Sequence, residues 1–224
     1  MKLMRGALAL AALAAAAAPA AAQLQPVTLA YQVRIGGNAA GTQTVALARD
    51  GDAWARTVTL QMGPVRQTIV TKFGADFAPI SYTERAEGPV PGDATIEVTG
   101  GRYRGQAHLP PQMGGDRTYD AEASAGSRLD GTDEAILAAA QLAQGQTLTI
   151  PLFNTITGAI DSVTYTVQAL EPVTVPAGTF PAFRVEVAGK AVPLMMWLRQ
   201  EAPHVPLRYQ LVGQPVEVVL ESVQ

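Results

Sequence analysis

The chain has no cysteine and only two histidines. Without thiols there is no disulfide framework, no cysteine nucleophile and no lipid-bearing cysteine, so burial alone must hold the fold. The usual catalytic signatures are also missing: no His-Glu-x-x-His, no Gly-x-Ser-x-Gly, no phosphate loop and no dinucleotide fingerprint. His108 and His204 stand in separate proline-flanked stretches without ligand spacing, so neither a metal nor a cofactor is assigned. Basic charge is scarce as well. Sixteen Lys and Arg face nineteen Asp and Glu, a formal net charge of −3, which argues against nucleic acid as a partner.

The one long apolar run is at the start. Lys2 and Arg5 form a positive region, Leu8 to Ala18 an apolar stretch, and Ala20-Ala21-Ala22 the small residues a signal peptidase needs. Residues 1–22 are expected to be a cleaved signal peptide, since an Ala-rich run this short falls below the roughly 20 residues of a membrane span. Removing Lys2 and Arg5 takes the net charge from −3 to −5 and leaves 23–224 as one β-rich domain. With no membrane anchor after cleavage, the expected location is the periplasm or another secreted compartment.

What is present is alternation. Leu29, Tyr31, Val33 and Ile35 share one face of a strand, and Trp54, Val58, Leu60 and Met62 share one face of another. Gly36-Gly37-Asn38, Asp50-Gly51-Asp52 and Gly63-Pro64 punctuate the runs. Turn signals about every ten residues describe an antiparallel meander. Asp50 and Asp52 hint at a calcium loop, but Trp54 occupies the next ligand position, so a hairpin turn is the better account. Leu109 to Gly115 holds two prolines and two glycines and reads as a slack connection.

One helix is expected after Asp130, with Asp130 as cap, Asp133 and Glu134 in the first turn and Gly145 as the stop. Capping explains these acids better than acid–base catalysis. The centre of the sheet is expected in Glu171 to Arg199, where Val173 and Val175 run into Pro176-Ala177-Gly178. The chain returns through Phe183, Val185 and Val187, and Leu194-Met195-Met196-Trp197-Leu198 follows. The reading is a mainly β protein: an antiparallel curled sheet, half-barrel or barrel of about ten strands with one packed α-helix.

No catalytic residue is assigned. The candidate ligand-binding residues are apolar: Trp54, Phe73, Tyr82, Phe180, Phe183, Met195 and Trp197. In a closed sandwich they fill the core; in a curled sheet some line a cavity able to hold an acyl chain.

The segment Gly145, Thr147-Leu148-Thr149-Ile150-Pro151-Leu152-Phe153, Gly158, then Glu171 to Phe180, Phe183-Arg184-Val185-Glu186 and Trp197-Leu198 resembles an uncharacterised family of exported bacterial β-rich proteins, domain of unknown function 3108-like. The resemblance covers residues 129–222 well and the N-terminal meander loosely. More distantly it is similar to curled half-barrels that carry lipoproteins or lipids across the periplasm, an analogy of fold. It implies a β-rich exported protein and brings no catalytic residues.

Three functions follow, in order. The first is a non-enzymatic binder of an apolar small molecule or lipid on a concave sheet face. The second is a module docking an envelope protein through sheet edges or the Leu109 to Gly115 loop. The third is a hydrolase with an unfamiliar acidic pair.

Overall fold

Period-two alternation puts one side of each run toward apolar neighbours, and each such run becomes a strand. The computed structural model describes residues 24–111 and 114–224; the leader lies outside the described residues, as do positions 112 and 113 of the proline-rich connection. The first elements are β1 (Val27–Ile35), β2 (Asn38–Asp50), β3 (Ala53–Met62), β4 (Val65–Phe73), β5 (Pro79–Glu87), β6 (Gly92–Thr99), β7 (Arg102–His108), β8 (Arg117–Glu122) and β9 (Arg128–Leu129). Helix α1 (Thr132–Ala139) follows. Then come β10 (Thr147–Phe153), β11 (Ile160–Val175), β12 (Gly178–Ala188), β13 (Leu194–Arg199), β14 (Pro206–Leu211) and β15 (Val216–Val223).

Among the described residues all fifteen strands join one sheet, in the order β8-β7-β6-β5-β4-β3-β2-β1-β15-β14-β13-β12-β11-β10-β9. Only the β9–β10 pair is parallel among the described pairings. Fifteen strands exceed the ten or so expected from turn spacing. Part of the excess comes from stretches with little apolar alternation. In β8, Tyr119 is the only large apolar side chain, and β9 is two residues long. A different correction applies to β11, which runs unbroken past Pro172, with a bulge between Val167 and Ala169. Pro172 stands opposite Pro181, beyond the last β10–β11 pair at Thr147 and Thr166, so its missing N–H removes no bond to β10.

The helix also departs from expectation. It is eight residues long, its N-cap is Gly131 without a side-chain cap, and it stops at Ala139 rather than at Gly145. The reason is local. Asp133 Oδ1 turns back to accept the Gly131 N–H at 2.9 Å, while the Asp130 side chain accepts from Lys190 at 2.9 Å. Gly131 has φ +86°, and a Cβ there would lie 2.8 Å from Arg56 Nη1, so glycine is required twice over.

Two limbs of the sheet meet this helix. Ala135 packs with Trp54 and Phe73 of β3 and β4. Leu137 packs with Ile150, Tyr165, Val185 and Leu198 of β10 to β13. Helix α1 therefore lies in the hollow of the curl. The curl brings the two sheet edges together without pairing them. Tyr103 stacks on Phe153 at 4.5 Å between centroids, and Tyr119 meets the same ring edge-on at 5.5 Å. The Tyr119 hydroxyl donates to the Thr155 carbonyl. The sheet is thus curled but not closed, with a seam of side chains between its edges.

Candidate functional site

Alternation and register decide which face each candidate side chain takes. Trp54, Phe73, Tyr82 and Phe183 lie on the concave face, while Phe180, Met195 and Trp197 lie on the other. Trp54 and Phe73 are directly opposite each other across β3 and β4 and close on Ala135 of the helix. Tyr82 belongs to the seam group, and Phe183 packs in the Leu137 group with its ring edge-on to His204 at 5.8 Å.

Trp197 sits where the tip of the β11–β12 hairpin folds back. Ala177 N–H donates to the Leu220 carbonyl at 3.1 Å, and Val173, Val175 and Ala182 join Trp197 in one buried group, with Phe180 and Met195 packed against it. The indole N–H donates to Glu171 at 2.7 Å, and the Arg208 guanidinium lies 4.8 Å from the ring centroid. The structure therefore brings the candidates together in small groups and does not gather them around one cavity.

The histidines are equally separate. His108 is exposed beside Asp116 at 3.3 Å. His204 is buried, with Nδ1 2.9 Å from the Arg199 carbonyl oxygen and Nε2 3.0 Å from that of Ala140. It ties the end of α1 to the end of β13.

Around α1 the structure gathers residues that no motif marks. Asp133 is buried; its Oδ2 accepts from Lys190 Nζ at 2.9 Å and from the Tyr165 hydroxyl, and its Oδ1 from Gly131 N–H. Burial pushes the Asp133 carboxyl up, but Lys190, the Tyr165 hydrogen bond and Arg56 outweigh it and hold the group below the usual carboxylate range. Burial pulls Lys190 down, and Asp130, Asp133 and Glu134 more than reverse that. Burial and the neighbouring Asp133 carboxylate both push the Tyr165 phenol up. Asp133 and Glu134 thus converge with cations rather than with each other, which leaves no unpaired carboxylate pair of the kind acid–base hydrolysis uses.

The neighbouring residue differs. Glu134 Oε2 accepts from Arg56 Nη2 at 2.5 Å and from the Tyr209 hydroxyl at 2.9 Å. This ion pair forms part of the wall of a cleft of about 500 Å³. The cleft opens where β1, β3 and β14 begin and β2 and β15 end. Apart from Gln25 and Arg199 its other walls are apolar, including Leu24, Val27, Leu47, Ala138, Pro203 and Val223. That volume lies within the few hundred to about 1,000 Å³ typical of small-molecule sites. None of the candidate aromatics or Met195 lines it.

Arg199 also borders the cleft, but pairing with Ala182 puts its side chain on the Trp197 face, opposite Leu198. Its N–H donates to the Val205 carbonyl at 2.8 Å, and its own carbonyl faces His204. Its side-chain Nε is buried without a hydrogen-bond partner.

Arg56 was legible in one respect. It lies two residues after Trp54 and two before Val58, so alternation puts a guanidinium on an apolar face, where a partner is obligatory. Lys190 and the tyrosine hydroxyls of residues 165 and 209 carried no such signal, because their partners come from elements far away in the chain.

A family model described as "Protein of unknown function (DUF3108)" matches residues 30–218. Among solved structures, the chain is similar to a β-barrel-like protein of domain of unknown function DUF1849 from Brucella abortus. The identity is 12%, the TM-score 0.60, and the match covers 91% of this chain and 99% of that one. That likeness shows the fold. A protein from Bacteroides fragilis described as exported, with a YmcC-like fold, aligns at 8% identity and TM-score 0.33, covering 92% of this chain and 99% of that one. No curated protein matches the chain.

Proposed function

The chain belongs to the DUF3108 family of proteins of unknown function, and we propose that it is an exported, non-enzymatic protein that holds an apolar small molecule in the cleft at one end of its curled sheet. The observation that carries this reading is the cleft itself: about 500 Å³, with mostly apolar walls, the Arg56–Glu134 ion pair and Arg199. Interiors otherwise pack with few voids larger than a water molecule, so an apolar hollow of this size is a place built for an occupant. The leader supports export, and the pairing of each acid on α1 with a cation supports binding over hydrolysis.

The test is native mass spectrometry of protein recovered from the exported fraction, followed by organic extraction of whatever leaves it. A discrete added mass that extracts as an apolar molecule is expected, and Ala138→Trp, which fills the cleft, removes it. A bare mass, with no uptake of dodecanol on titration, sinks the reading and moves weight to an envelope protein as partner.

A further inference from the structure

We propose that the molecule docks reversibly on a lipid bilayer through an uncharged rim at the end of the sheet opposite the cleft, where Ile35, Ile156, Val192 and Val212 project from four neighbouring turns. Docking of this kind does not depend on an occupant in the cleft.

Antiparallel pairing puts the β1–β2, β14–β15, β12–β13 and β10–β11 connections at one end of the curl. Each carries one large apolar side chain left in water, with exposures from 36% for Val192 to 54% for Val212. The four turns touch in succession around the rim. Gly36 N–H donates to the Pro215 carbonyl at 2.7 Å, and Val212 N–H to that of Pro193 at 2.9 Å. Ile156 and Val192 border one hollow of about 300 Å³. The four apolar residues therefore form one arc.

Single exposed apolar side chains are ordinary on a protein surface. What sets this arc apart is its lack of charge. Residues 35–38, 154–159 and 212–215 hold no Asp, Glu, Lys or Arg. In 189–193 the one charge, Lys190, is bound to Asp130 and Asp133 at 2.9 Å each. The turns at the other end carry Asp50, Asp52, Asp76 and Glu201. An anionic bilayer repels that acidic end, so charge alone turns the uncharged arc toward the lipid. The arc stops short of the β5–β6 turn, where Glu87 and Asp93 bring charge back to the rim.

An apolar tip can leave water only if its backbone polar groups are already bonded. Asn154 Oδ1 accepts from the N–H groups of Ile156 and Thr157, and the Asn154 carbonyl accepts from Gly158 N–H at 2.8 Å. Gln214 N–H goes to the Leu211 carbonyl at 3.3 Å, while Pro193 and Pro215 have no N–H to satisfy. A protein partner would need a continuous apolar centre with matching shape. Here Gly, Asn, Thr and Gln separate the apolar tips. A bilayer takes each tip singly and meets the polar residues between them with its headgroups, which favours lipid over a second copy of the chain.

The experiment is flotation of the exported product with vesicles of phosphatidylethanolamine and phosphatidylglycerol, at about 0.1 M and about 0.5 M salt. Co-flotation at both is expected, because screening does not weaken the burial of uncharged groups. The double variant Val192→Ser, Val212→Ser lowers lipid partitioning about tenfold. Ile80→Ser, at the other end and similarly exposed, changes it less than about twofold. Since the chain has no cysteine, one introduced thiol can report on each end. An environment-sensitive dye on Gln214→Cys shifts to the blue when vesicles are added, and the same dye on Asp52→Cys does not.

No flotation of the native protein, flotation lost at the higher salt, or an equal loss in Ile80→Ser overturns the inference. So does a dye response at neither position or equally at both. A dimer that the double variant abolishes, without flotation, assigns the arc to a second copy and also overturns it. Should the double variant melt below the assay temperature, the dye pair decides alone.

Discussion

Asp133 and Glu134 are adjacent on one helix and end in opposite situations. The Asp133 side chain is 1% exposed, with both oxygens occupied by groups of the protein itself. Glu134 is 20% exposed, with both of its hydrogen bonds on one oxygen and an apolar cleft beside it. The difference separates two uses of a buried charge. Where the protein occupies both oxygens of a fully buried carboxylate, the group specifies structure and is closed to a ligand. Where capacity remains beside a hollow, the group can recognise something.

The sharpest way to break this contrast is Asp133→Asn. It removes the anion and leaves Lys190, 22% exposed, without its buried counter-charge. A loss of about 3–5 kcal/mol is expected, the range for removing one partner of a buried pair, read from urea unfolding at neutral pH. Adding Lys190→Met recovers part of that loss, because the charge then held by Asp130 alone leaves with it. Equal stabilities for the single and double variants would show that the pair is not coupled.

Arg56→Met comes next. It strands Glu134 instead, but water reaches that carboxylate through the cleft, so the cost is expected to be smaller, about 1–3 kcal/mol. A loss matching that of Asp133→Asn would erase the distinction between the two acids.

Titration sharpens the same contrast. The folded state holds the Asp133 carboxyl below its ordinary range, so its contribution is present above the unfolded value of about 3.9 and is lost as pH falls through the folded one. The Tyr165 and Lys190 shifts run the other way. Their contributions are present below about pH 10 and are lost as pH rises beyond it. Stability measured from pH 3 to 11 should therefore form a plateau with two shoulders, and Asp133→Asn should flatten the acid one.

The smallest expected effect is at the cleft. Val27→Thr is nearly isosteric on a half-buried wall position and should shift unfolding by less than about 1 kcal/mol. It should nonetheless weaken dodecanol binding severalfold in a calorimetric titration, because it places a hydroxyl in the path of the tail. Stability falling in step with affinity would mean that the cleft is merely loose core.

Much of the fold was written in the alternation. The run from Val65 to Phe73 is β4 as read, and Arg102 to Leu109 differs from β7 by one residue. The short edge strands were illegible because their pairing is decided by neighbours rather than by their own apolar pattern: β9 has two residues and exists because β10 runs beside it. The site was less legible for a related reason. Alternation names the face of Trp54 and Trp197 only relative to their own strands, and which face becomes concave depends on the curl of all fifteen. Glu134 was visible as a first-turn acid, yet its partner Arg56 lies seventy-eight residues away. Spacing along the chain carries no trace of such a contact.

The seam between β8 and β9 has a mechanical meaning. Elsewhere the wall is stitched by rows of backbone hydrogen bonds, but along this line it is held by stacked rings and a few side-chain bonds. Opening along it breaks no ladder between strands, so the wall has a fault line there. Strain from denaturant, pulling or an oversized guest should part the two edges there first, while helix α1 and the turn before it still tie the limbs together through Arg56–Glu134 and Thr71–Asp130.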